Sequence, residues 1–364
     1  MRIRFLPVAL FFLYIFINIQ APAQVYDLDS LYKNSPSFKT NIDNIKDTFD
    51  LFNNNEILNV RIISDFRNFI KKKFQDEYQP AIFETILFDT IAVRRELKIK
   101  ARGNYRRNTC SFPPITLNFL KKQAIFEQIQ EFGKIKLVGN CRSGELYDQY
   151  LIQEYYVYKM YNILSPFSYR VRILRVEYID TSGKKKPRDN FAFLIEPTDQ
   201  MAQRLNSKEY DRKGVPNNDV DRASSTIMGL FQLMIGNTDW SIPGLHNMKL
   251  IRVADANYPY PIAIPYDFDY SGIIDAQYAE PHEILPIESV TERFYMGTCR
   301  EMDEYVEAFK FFHEKRSQIE ALFADSPYLV KGGKNKPLNY IDGFYRLIDS
   351  KASVNSFIIR NCKH

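Results

Sequence analysis

Two short acidic segments carry the side chains best suited to chemistry. In Asn237-Thr238-Asp239-Trp240 a lone carboxylate follows a glycine-asparagine pair, and His246-Asn247 lies seven residues on. In Pro265-Tyr266-Asp267-Phe268-Asp269 two carboxylates stand two residues apart, followed by Tyr270-Ser271-Gly272. Carboxylate and amide oxygens are hard ligands that suit Mg²⁺ or Ca²⁺. An aspartate near a hydroxyl can also take or orient its proton. Phosphoryl transfer needs both functions: a cation offsets the phosphate charge and a carboxylate orients the attacking oxygen.

The second segment has a rival in calcium binding. Residues 267–274 match D-x-D-x-S-G-x-I, the first eight positions of an EF-hand loop. The twelfth position is Tyr278 instead of a bidentate glutamate, and the preceding YPYPIAIP is too proline-rich for the entering helix. An EF-hand is therefore not expected.

Several elements must position these residues. EILNVRIISDF, RRELKIKARGNYRR, FPPITLNF and KIKLVGN alternate apolar with polar residues and predict four strands. The long run from Leu146 to Leu164 lacks Gly and Pro and predicts a helix stopped by Pro166. RVRILRVEYID and NFAFLIE predict a hairpin across a Gly/Pro-marked loop. Asp221 predicts the cap of a buried helix that Gly236-Asn237 ends, placing Asp239 in the loop just beyond it. Two short strands, MKLIRV and PIAIPYD, then lead to the Asp267 turn, and an amphipathic helical tail follows. Strands dominate the first half and helices the second, an α+β pattern.

The ends and cysteines bear on the compartment. Arg2 and Arg4, an apolar run at 5–17 and Ala21-Pro22-Ala23 predict a secretory signal peptide cut after Ala23. The expected organisation is signal peptide 1–23, lead-in 24–55, a sheet-rich segment 56–196 with the long helix, and a helix-rich segment 197–364. A secreted or periplasmic protein without an integral membrane segment after cleavage is expected. Cys110, Cys141, Cys299 and Cys362 allow two disulfides in three pairings, and their spacing fits no zinc motif. Of 49 basic residues, the cut removes Arg2 and Arg4, leaving 47 against 44 acidic. That balance is too mild to predict a nucleic-acid partner.

The ordered motifs resemble the CotH-type secreted kinases. RGNYRR is similar to that family's Arg-Gly-Asn turn, and YDQYLIQEYYVYKMYNIL to its long helix. MIGNTDWSIPGLHNMKLI is similar to its catalytic loop, and IPYDFD to its metal-binding turn. The similarity runs from about Arg102 to Ser271. It implies a two-lobed atypical protein-kinase-like fold, with ATP and Mg²⁺ as cofactors. The substrate it implies is a protein or another hydroxyl-bearing molecule of the envelope or extracellular space. By the same resemblance Asp239 is the catalytic aspartate, Asn247 and Asp267 hold Mg²⁺, and Asp269 assists the metal or caps the turn. Glu196 lies toward the adenine and Lys136 is the candidate phosphate-contacting lysine, with Lys100, Arg102 or Lys136 as the residues that could replace a missing strand cation. Asn118 stands where family members commonly carry a basic residue. That departure gives the alternative, a catalytically inactive kinase-like binding or envelope protein.

Overall fold

The computed structural model describes residues 51–53, 55–87, 91–103, 105–119 and 133–363. The expected signal peptide and nearly all of the expected lead-in lie outside these residues. Seven strands adjoin in the order β1-β2-β3-β4-β5-β7-β6 and close on themselves. They are β1 (Leu58–Ser64), β2 (Gln79–Leu87), β3 (Ile91–Ala101), β4 (Ile115–Phe119), β5 (Lys134–Gly139), β6 (Val171–Asp180) and β7 (Arg188–Ile195). Closure comes from β1, which pairs antiparallel with β2 and parallel with β6, from Leu58↔Leu174 to Ser64↔Asp180. Alternate residues fill the barrel, among them Ile62, Ile99, Leu117 and Ile135, all fully buried. Aromatic rings plug one end. Phe66 in α1 (Phe66–Lys71) packs on Phe112 and Tyr178 at 5.6 and 5.5 Å.

This barrel corrects the expected two-lobed, atypical protein-kinase-like α+β fold. The physical reason is two pairings. Gln79–Leu87 forms a strand that the sequence reading did not anticipate, and it bridges β1 to β3. β1 then joins β6, more than a hundred residues away, so the sheet has no free edge.

The outer wall of the barrel carries a second core. The last four residues of β7 are all buried because Ala192 and Leu194 face the barrel and Phe193 and Ile195 face a helix. That helix is α3 (Glu145–Leu164), after the short α2 (Tyr105–Thr109). Twelve of its 20 residues are buried, so it is a central helix and not a surface one. Tyr158 packs on Phe193 at 5.7 Å and on Phe268 at 4.7 Å. After α4 (Thr198–Arg204), the helices α5 (Arg222–Ile235), α6 (Met302–Ala324) and α7 (Lys331–Ile348) complete this core around α3. β8 (Ser207–Glu209), β9 (Met248–Val253) and β10 (Ile262–Pro265) form a small antiparallel sheet in the order β10-β9-β8. No helix among the described residues is long and apolar enough to cross a membrane.

Two disulfides, Cys110–Cys141 and Cys299–Cys362, staple these parts. They fit an oxidising, extracellular type of environment.

Local chemistry brings the two acidic segments together. The Asp221 carboxylate caps α5 by accepting from Ser224 N at 2.9 Å. Gly236 ends α5 in the left-handed region at φ 65°. Its carbonyl accepts from Gly272 N at 3.0 Å, and Ile235 O accepts from Ile273 N at 3.0 Å. The close approach requires glycine at 272, since a Cβ there would lie 2.3 Å from Val290 O and 2.5 Å from the Tyr340 hydroxyl. Gly272→Ala is therefore expected to cost about 1–3 kcal/mol through overpacking. Urea unfolding of the variant and the wild type measures it. An unchanged midpoint would show that the contact is not needed.

Candidate functional site

The site grows from an apolar anchor. Phe268 is fully buried and packs against Tyr158 of α3 and Phe231 of α5, the latter at 5.5 Å. Burying such a ring contributes about 1.5–3 kcal/mol, which fixes the turn on both helices. The flanking carboxylates are then held in place. Asp267 has φ 65°, and its main-chain N–H donates to the Tyr158 hydroxyl at 2.8 Å. Asp269 accepts from the Tyr278 hydroxyl at 3.1 Å. Glu154, one turn before Tyr158 on α3, meets them. One carboxylate oxygen from each of Glu154, Asp267 and Asp269 lies within 4.8 Å of the others.

The Asp239 loop is equally constrained. Asn237 is buried, takes Asp239 N on its Oδ1 at 3.0 Å, and receives the Trp240 indole N–H on its carbonyl at 3.2 Å. Ser241 and His246 exchange two backbone hydrogen bonds of 3.0 Å, closing a tight loop. The closure returns His246 Nε2 to 2.6 Å from Asp239 Oδ1. Asn247 Nδ2 donates to both Asp239 Oδ2 and the Asp239 carbonyl at 2.9 Å. The β9–β10 register pairs Met248 with Pro265, and Tyr266 N donates to Asn247 O at 3.1 Å. That hairpin links the two acidic segments. Asn247 and Asp267 both occupy the left-handed backbone region, at φ 50° and 65°. Strain of this kind costs on the order of 1–3 kcal/mol per residue and clusters at functional sites.

Cations face the acids. Arg106 of α2 reaches 3.7 Å from both Glu154 Oε2 and Asp269 Oδ2. Its helix runs into Cys110, so the Cys110–Cys141 disulfide ties it to the end of β5. Arg102 at the end of β3 and Lys136 on β5 both feel the Asp267 charge. The Lys136 ammonium lies 4.7 Å from the centre of the Tyr266 ring.

Electrostatics follow from burial. Glu154 is 1% exposed, and its Oε1 has no hydrogen-bond partner among the described residues. Burial, reinforced by the Asp269 charge, holds its carboxyl well above the usual range. Burial likewise pushes Asp269 up to about 6, with Arg106 opposing and the Asp267 charge adding to the rise. Burial pushes Lys136 down to about 8, aided by the Arg102 charge and opposed by Asp267.

The lysine shift gives a test. Between pH 8 and 10.5 the folded protein has released the Lys136 proton and the unfolded chain still holds it, so stability rises with pH across that window. Below pH 8 the full cost, about 3 kcal/mol, is present. Lys136→Met removes it. The variant is expected to be more stable than wild type in urea at pH 7, with the difference shrinking by pH 10. A less stable variant at pH 7 would contradict this burial cost.

Glu196 lies outside the acidic cluster. Its carboxylate takes hydrogen bonds of 2.8–3.1 Å from Arg170 and Arg204, so both oxygens serve that ion pair. Asn118 lies on β4 opposite Lys98 and Lys134, and Lys136 sits opposite Thr116. The EF-hand alternative also meets its structural answer. Strand β10 precedes the Asp267 turn where a helix would be needed, and Tyr278 at the twelfth position is bonded to Asp269.

Glu154 and Arg106 were not anticipated from sequence. One signal was present for Glu154: it is a single acid inside the apolar run YLIQEYYVYKM. Buried acids are rare unless paired or metal-bound. Arg106 carried no comparable signal.

Glu154, Asp267 and Asp269 offer only oxygen ligands, and the orphaned Glu154 Oε1 is an acceptor that a hard divalent cation would satisfy. The donor set therefore fits Mg²⁺. Lys136 and Arg102 supply positive charge on the Asp267 side, where phosphates would need it. No protein-family model matches the chain, and no curated protein matches it.

Proposed function

We propose that the chain is a secreted phosphotransferase, similar in function to the CotH-type kinases. It moves a phosphoryl group from ATP, bound with Mg²⁺, to a hydroxyl of a protein or another extracellular or envelope substrate. One observation carries this proposal: the Asp239–Asn247 loop and the Asp267–Asp269 turn, about thirty residues apart, meet near Glu154, with Lys136 and Arg102 within electrostatic reach of Asp267. Asp267 with Asp269, Glu154 or Asn247 would hold the cation, which would offset phosphate charge when bound. Lys136 and Arg102 bind phosphate oxygens, and Asp239 governs the proton of the attacking hydroxyl.

A second reading, a non-catalytic binding or envelope protein, is favoured by Arg106. Its guanidinium partly neutralises Glu154 and Asp269 without any ion. A thermal-shift titration tests nucleotide binding. ATP with Mg²⁺ is expected to raise the melting temperature with concentration, as mass action requires. No shift at millimolar ATP-Mg²⁺ rejects the ATP site. A shift without phosphoryl transfer to any acceptor supports the second reading.

A further inference from the structure

We propose that His246 is the general base of this site and that Asp239 acts through it. The assignment rests on the phosphotransferase proposal and deepens it. Both oxygens of the Asp239 carboxylate are already engaged, Oδ1 by His246 Nε2 at 2.6 Å and Oδ2 by Asn247 Nδ2 at 2.9 Å. The imidazole has one remaining ring nitrogen, Nδ1, which has no hydrogen-bond partner among the described residues. The side chain is 59% exposed, so a hydroxyl-bearing substrate can reach it.

The loop holds the ring firmly despite that exposure. Reciprocal Ser241–His246 backbone bonds fix its base, and Gly244 N donates to Ser241 Oγ at 3.1 Å. Ile242 is buried and anchors the loop in the core. The pair also adjoins the acidic turn, since Asn247 donates to Asp239 at 2.9 Å and its carbonyl accepts from Tyr266 N, next to Asp267, at 3.1 Å.

An aspartate that accepts from one imidazole nitrogen leaves the other nitrogen as the proton acceptor. In the neutral ring, Nε2–H donates to Asp239 and Nδ1 presents a lone pair. The substrate hydroxyl oxygen forms a bond to the terminal phosphorus of ATP. The bond from that phosphorus to the bridging oxygen breaks, and ADP leaves with the electron pair. The hydroxyl proton moves to Nδ1, and the resulting imidazolium stays paired with Asp239 until it gives the proton to water.

The test compares wild type, H246A, D239N and the D239N/H246A double variant. Each is given labelled ATP-Mg²⁺ with dephosphorylated casein as acceptor, and phosphate release to water is followed in parallel. H246A is expected to be slower by about 10³-fold, in the range for loss of a general base. Its ATP-Mg²⁺ affinity should be unchanged, and added imidazole should restore at least tenfold of the rate. The double variant should be no slower than the slower single variant, because the two residues act as a unit. Wild-type turnover in H246A overturns the assignment and leaves the phosphotransferase proposal standing. So does a loss that imidazole fails to restore and that parallels lost ATP-Mg²⁺ binding. A wild type that transfers to neither acceptor rejects the phosphotransferase proposal, and this assignment with it.

Discussion

Asp239→Asn is expected to slow phosphoryl transfer by about 10³-fold and leave the protein folded. General acid–base groups contribute on the order of 10²–10⁴ in rate. The asparagine keeps one oxygen for the Asn247 amide but turns an N–H₂ toward His246, where the carboxylate accepts at 2.6 Å. The amide then donates to Nε2 and stabilises the ring tautomer that carries its proton on Nδ1. The proton acceptor is blocked even though the geometry is nearly unchanged. Asp239 is partly exposed and lies outside both hydrophobic cores, so stability should change little. Transfer rates and urea midpoints, measured together, check both halves. A variant that transfers at the wild-type rate excludes Asp239 from the chemistry.

Asp267→Asn is expected to separate stability from cation binding. Without divalent ions the substitution removes a negative charge packed against Glu154 and Asp269, both of whose carboxyls it helps to raise. That relief is opposed by the loss of Asp267's attraction to Arg102 and Lys136, so the melting temperature of the apo protein should change little. Asparagine, unlike alanine, tolerates the left-handed φ of 65° at this position, so the backbone should hold. Adding Mn²⁺ or Mg²⁺ should stabilise wild type and leave the variant nearly unmoved. The expected loss in cation affinity is about 100-fold, equivalent to about 2.7 kcal/mol. Melting curves with and without ion, alongside calorimetric titration, measure it. Equal cation-dependent stabilisation in both proteins would place the ion elsewhere.

Sequence signals are clearest for elements whose cause is local. The Asp221 cap and the Gly236 stop delimit α5 because both act within one helical turn. The alternation in LNVRIIS and ITLNF marks β1 and β4 because each buries one face in the barrel. Barrel closure had no such signal. β2 begins at Gln79-Pro80, an unpromising entry for a strand, and the β1–β6 pairing joins residues more than a hundred positions apart. The site divides in the same way. Asp239, Asn247, Asp267 and Asp269 stand in short motifs and can be named from them. Glu154 reaches the turn only because Phe268 packs against Tyr158, one turn further along α3. Glu196, which the resemblance places toward the adenine, forms ion pairs with Arg170 and Arg204 that no local sequence signal marks.

The convergence of the two acidic segments into one cation and nucleotide site is tested most directly by a crystal grown with Mn²⁺ and a non-hydrolysable ATP analogue. Anomalous scattering locates the ion independently of any substrate. The predicted result is a Mn²⁺ peak bound to an Asp267 carboxylate oxygen, with analogue phosphates between it and Lys136 or Arg102. A peak away from Asp267, or an analogue bound elsewhere on the protein, would contradict the account.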